Sequence, residues 1–95
     1  MNKKYPMLLS PGSIGKVELK NRIVMSAMGM NQSDDGFVND TVIEHYAARA
    51  RGGAGLIIVE VTCVDAPLGK NTGNPLILDD DKYIPGMQRL TDSIH

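Results

Sequence analysis

The chain has 95 residues, 42% apolar and 22% charged, with ten Lys and Arg against eleven Asp and Glu; this balance fits a packed globular chain and excludes a disordered one or a coiled coil. At 10.3 kDa it has roughly 9,600 Å² of surface to bury on folding, enough for one modest core and too little for two domains. A net charge of -1 with scattered basic residues excludes an electrostatic footprint for nucleic acid, and with no run approaching ~20 apolar residues neither a membrane span nor an export leader is expected.

In chain order, residues 13–21 predict a small hairpin, because turn residues bracket an alternating segment with Ile14, Val17 and Leu19 apolar. Residues 22–28 are nearly continuous apolar chain and predict a strand buried on both faces, opening into the polar loop Asn31-Gln32-Ser33-Asp34-Asp35-Gly36. Asn39 is placed to cap a helix over residues 40–51, whose Val42, Ile43, Tyr46, Ala47 and Ala50 keep to one face. Gly52 and Gly53 end it. Residues 56–61 predict a second buried strand, interrupted only by Glu60.

A loop rich in Pro, Gly and Asn is expected over residues 65–78. Asp80 or Asp81 then caps a second helix over residues 81–94, with Pro85 in its first turn and Ile84, Met87, Leu90 and Ile94 as its apolar stripe. The run Asp79-Asp80-Asp81 reads as charge favoured at a helix start and not as a metal site. Hairpin, strand, helix, strand, helix is an α/β order and predicts a parallel sheet with right-handed crossovers. Two such strands leave unpaired edges, yet residues 56–61 are too apolar to face water, so further strands are expected to be needed.

Ligands of parallel α/β folds lie beyond the carboxyl ends of the strands, which directs attention to residues 26–31 and 60–65. No phosphate-loop, dinucleotide, zinc-peptidase or nucleophile-elbow motif is present, and the glycines at 52, 53 and 55 precede a strand and form a turn. Ser26, Ala27, Met28, Gly29 and Met30 combine small residues with flexible thioethers, which suits a flat ligand that approaches the backbone. Core filling by Met25, Met28 and Met30 is the competing reading, and composition alone favours it. Glu60 is either catalytic or, preferably, a structural carboxylate satisfied by a helix N-terminus or an arginine. His45 reads as a surface or interhelix packing residue. The single cysteine, Cys63, can form no internal disulfide and cannot hold zinc by itself. It reads as a small buried or loop residue and suits a reducing, cytoplasmic setting.

Leu19-Lys20-Asn21-Arg22-Ile23-Val24-Met25-Ser26-Ala27-Met28, Asp35-Gly36, His45-Tyr46 with Arg49-Ala50, and Gly52-Gly53-Ala54-Gly55-Leu56-Ile57-Ile58-Val59-Glu60 together resemble the amino-terminal part of the Old Yellow Enzyme family. That family comprises FMN-dependent NAD(P)H:flavin oxidoreductases, among them 2,4-dienoyl-CoA and enoate reductases. The resemblance runs in register from about Tyr5 to His95. It implies that the chain is the hairpin and first two β/α units of a TIM (β/α)8 barrel, a fold of about 250 residues, and is inactive by itself.

The resemblance further implies that Ser26, Ala27, Met28 and Gly29 line the FMN isoalloxazine, with Val61 reaching it from the second strand. NADH or NADPH would be the reductant, an activated alkene the substrate, and the full-length enzyme a homo-oligomer. An iron–sulfur cluster and FAD are implied only for longer relatives. Ala27 stands where many relatives have proline, Gly29 where they often have a flavin-touching Thr or Cys, and Val61 where Ala or Gly is common. The catalytic acid and the substrate-anchoring residues would lie beyond His95, so no catalytic residue and no metal ligand is assigned. On the residues alone, a free-standing small α/β binding or assembly module is the alternative.

Overall fold

A computed structural model describes residues 4–69 and 73–95, so residues 70–72 of the predicted loop 65–78 lie outside the described residues. The hairpin pairs β1 (Gly12–Ile14) with β2 (Val17–Leu19) in antiparallel register, Ile14 opposite Val17. Gly15 makes the tight turn at φ 58°, a conformation glycine adopts without steric cost. Arg22 fastens the base of the hairpin by donating from Nε to Ser10 Oγ at 3.0 Å and from its guanidinium to Pro11 O at 3.2 Å.

β3 (Val24–Met25) and β4 (Leu56–Ile57) run parallel with Val24 opposite Leu56. Ile23 O and Met25 O accept from Leu56 N at 3.2 Å and from Ile58 N at 3.0 Å. Further along the same stretch of chain, β5 (Thr62–Cys63) pairs in parallel with β6 (Leu76–Ile77). One extended segment is therefore shared: its beginning lies against β3 and its end against β6.

Three expectations are corrected here. Regular pairing covers only two residues of each predicted strand, because the chain after Met25 leaves the ladder; β6, in contrast, falls inside the predicted loop. Burial is also one-sided. Met25, Ile57 and Val59 pack onto the helices, whereas Val24 and Ile58 are 46% and 47% exposed. Both helices contribute to the core on which those residues pack, and Val24 and Ile58 on the opposite side remain open.

α1 spans Asp40–Arg51, and the Asn39 side chain caps it by accepting from Val42 N at 2.9 Å. It stops where Gly52 N donates to Ala48 O and Gly53 takes φ 111°. α2 spans Ile84–Ile94 and is preceded by a 3-10 turn at Asp81–Tyr83, which the Asp80 side chain caps by accepting from Lys82 N at 3.0 Å. The predicted helix over residues 81–94 thus begins as a 3-10 turn. Pro85 has no N–H to extend the α ladder backwards.

Val38, Val42, Tyr46, Leu76 and Leu90 form the main core, with Met30, Met87 and Ile94 packed against it. The chain is extended for its size. Its radius of gyration is 15.1 Å against about 12 Å for a compact domain of this length, and its accessible surface is 6448 Å² against roughly 5,400 Å².

Candidate functional site

Beyond β3 the chain runs free. Ser26, Ala27, Met28 and Gly29 are all exposed, Met28 by 65%. Among the described residues no hydrogen bond joins any of the four to another residue. Their backbone N–H and C=O groups are therefore available to a ligand. Val61, 43% exposed, comes up beside them from the second strand: a Cβ built on Gly29 would lie 3.8 Å from Val61 Cγ1. Gly29 and Val61, 32 positions apart in the sequence, thus meet at one edge. The competing core-filling reading holds for Met25 and Met30, which pack on the core, and fails for Met28.

Glu60 sits directly before Val61 and is only 4% exposed. Its Oε2 accepts from Met30 N at 3.1 Å, its Oε1 accepts from Tyr46 OH at 3.1 Å, and its own N–H donates to the Tyr46 oxygen at 2.9 Å. The structural role expected of Glu60 is seen, but the expected partners are not: a phenol from mid-α1 and one loop amide take the place of a helix N-terminus or an arginine. Burial pushes the Tyr46 phenol up to about 12; the hydrogen bond it receives from Glu60 N opposes that rise, and the Glu60 carboxylate adds to it.

His45 lies edge-on to the Tyr46 ring, 5.1 Å between centroids, and its Nε2 is buried without a hydrogen-bond partner among the described residues. Burial and then the Arg49 charge lower its pKa from 6.5, with Glu60 acting in the opposite direction. Cys63 is buried against Ile77 and Tyr83, away from solvent. Among the described residues no group of three or more His, Cys, Asp or Glu is arranged to hold a metal ion, and no helix is long and apolar enough to cross a membrane.

Ser33 was not singled out by its sequence, yet it locks the loop beside the site. Its buried Oγ lies 2.8 Å from Pro75 O and 3.0 Å from Asn74 O, and accepts from Gly36 N at 3.1 Å. Gly36 O in turn accepts from Ile77 N at 3.0 Å. Asn31, at φ 60°, accepts through Oδ1 from Asn74 N. The turn residues Ser33, Asp35 and Gly36 are a readable local signal; their partners about 41 residues away are not.

A family model described as NADH:flavin oxidoreductase / NADH oxidase matches residues 7–95. The chain is 49% identical over 92 residues to an NADH oxidase of Thermoanaerobacter brockii, covering 96% of the chain and 14% of that protein. Among solved structures, a 2-naphthoyl-CoA reductase in complex with 2-naphthoyl-CoA superposes with a TM-score of 0.90 at 33% identity, over 95% of this chain and 14% of that one. The Old Yellow Enzyme of Trypanosoma cruzi superposes with a TM-score of 0.79 at 31% identity, over 97% of this chain and 24% of that one. The chain spans only 14% to 24% of the length of these relatives, and it superposes on part of their α/β barrels.

Proposed function

The chain belongs to the NADH:flavin oxidoreductase / NADH oxidase family, with Old Yellow Enzymes among its structural neighbours, and from that premise we propose that it forms part of an FMN-dependent enzyme reducing activated C=C bonds with electrons from NADH or NADPH. In this reading it contributes the hairpin and first two β/α units of a (β/α)8 barrel and is inactive alone. The exposed side of Val24 and Ile58 supports that reading, since alternate residues of a barrel strand face the interior, which further strands must enclose.

The observation that carries the proposal is the meeting of Gly29 with Val61 at the end of a run of four exposed residues, 26–29, whose backbone is unpaired among the described residues. Those residues fit a flat flavin ring. Ser26, Ala27 and Gly29 are small enough for close backbone approach, and Met28 offers a polarizable thioether to a ring. FMN, when bound, supplies the hydride-transfer chemistry. The chain's own part is to present backbone donors and acceptors from residues 26–29 to the ring's polar edge. Val61 covers apolar ring surface and keeps water from it. Gly29, having no side chain, contributes backbone alone.

Expression of the complete reading frame that contains these 95 residues tests the proposal. The purified protein is expected to carry FMN, to be reduced by NADH or NADPH under anaerobic conditions, and to pass those electrons to an enone such as cyclohexenone. Protein without flavin, or flavin that is reduced but never reoxidised by an enone, would refute it. The 95-residue chain purified alone is expected to show no such turnover.

A further inference from the structure

Glu60 and Tyr46 do more than satisfy one another. The carboxylate joins three elements at one point: the chain leaving β3, through Met30 N; the middle of α1, through Tyr46 OH; and the extended segment after β4, through its own backbone. Met30 directly follows Gly29 and Glu60 directly precedes Val61. Each bond of this clamp is therefore one residue away from a position assigned above to the flavin. The residues between Met25 and Met30 have no hydrogen bonds of their own among the described residues. Their path is set by what holds their two ends, the β3–β4 ladder at one and the Met30–Glu60 bond at the other.

Resting on the flavin-site reading above, we propose that Glu60 is a positioning residue: with Tyr46 it fixes Met30 and thereby holds Ser26, Ala27, Met28, Gly29 and Val61 in place against the FMN ring. Chemistry sets the requirement. Met30 N–H and Tyr46 O–H are both donors directed at the two oxygens of one side chain, so the position calls for a group that accepts twice at this reach. Glutamine accepts through one atom only, and its amide nitrogen must face either a backbone N–H or a phenol that then loses its acceptor. Aspartate is one methylene short. Tyr46→Phe keeps the ring in the core and removes only the oxygen.

The test uses the complete flavin-loaded enzyme with E60Q, Y46F and, as a control in the core, Leu90→Ala. E60Q is expected to weaken FMN binding about tenfold, the effect of one lost buried hydrogen bond, and Y46F, which removes two, at least as much; both are expected to shift the flavin absorption bands and the reduction potential. Leu90→Ala, with an equal or larger loss of melting temperature, is expected to leave those bands and that potential unmoved. Folded E60Q and Y46F proteins with wild-type flavin spectrum, potential and affinity would overturn the positioning role while leaving the flavin site intact. A wild-type protein that binds no FMN would overturn both. Should either variant fail to fold, amide exchange in the unmodified protein stripped of its flavin decides: a Met30 amide exchanging more slowly than those of Ala27, Met28 and Gly29 supports the clamp, and one exchanging as fast as they do removes it.

Discussion

Gly36 and Ile77 close on each other with no space for a side chain between them. A Cβ on Gly36 would lie 2.5 Å from Ile77 Cδ1, and the glycine holds φ at +91°. The loop after β3 reaches β6 only because position 36 carries hydrogen alone.

Gly36→Ala is therefore expected to cost about 2–4 kcal/mol, combining roughly 1 kcal/mol for the backbone conformation with about 1–3 kcal/mol for overpacking. Gly15→Ala is the natural comparison, since Gly15 also has a positive φ of 58° but no atom of the described residues within 4 Å of its Cβ position. It is expected to cost only about 1 kcal/mol. Urea unfolding of both variants measures the difference, and equal losses would show that the contact with Ile77 contributes nothing.

The Tyr46 phenol predicts an alkaline limit. Its ordinary value of 10.0 is raised by burial to about 12 in the folded chain, so between those values the unfolded state loses its proton first. Stability is complete below about pH 10 and declines as pH rises towards 12. Melting curves at pH 9 and pH 11 should show the decline. Tyr46→Phe should lose this part of it, while starting from a lower stability because Glu60 loses both of its hydrogen bonds with the Tyr46 hydroxyl.

His45 acts at the other end of the scale. Its pKa lies below 6.5 in the folded chain, first through burial and then through Arg49. As pH falls, the unfolded state takes up the proton first; the stabilising contribution is complete above about 6.5 and is lost progressively at lower pH. His45→Leu should flatten that dependence between pH 7 and 5 and also remove the unpartnered Nε2. A slope unchanged in His45→Leu would assign the acid sensitivity to other groups.

Gly29→Trp separates flavin binding from folding. Position 29 is exposed, and among the described residues a Cβ there meets only Val61 Cγ1, at an ordinary 3.8 Å. A change in stability within about 0.5 kcal/mol is expected. In the complete enzyme the indole would occupy the ledge assigned to the ring, so FMN should be lost on gel filtration while the melting temperature of the flavin-free protein holds. Normal FMN retention would place the ring elsewhere.

Local chemistry was legible without a structure. Asn39 as the cap, the glycines that end α1, and the stripe of Val42, Tyr46 and Ala47 are all written between residues 39 and 53. The joining of motifs from residue 19 to residue 60 carried the family resemblance in the same way. What the tertiary structure alone decided are relationships across long separations. A phenol from α1 became the partner of Glu60, Ser33 found carbonyls 41 and 42 residues away, and Leu76 and Ile77 left the expected loop to pair with Thr62 and Cys63. Helix periodicity and caps are properties of neighbours along the chain, so they appear in the order of side chains. A buried acceptor or an open strand edge takes whichever donor the docking of distant elements brings within 3 Å or so, and no stretch of sequence records that choice.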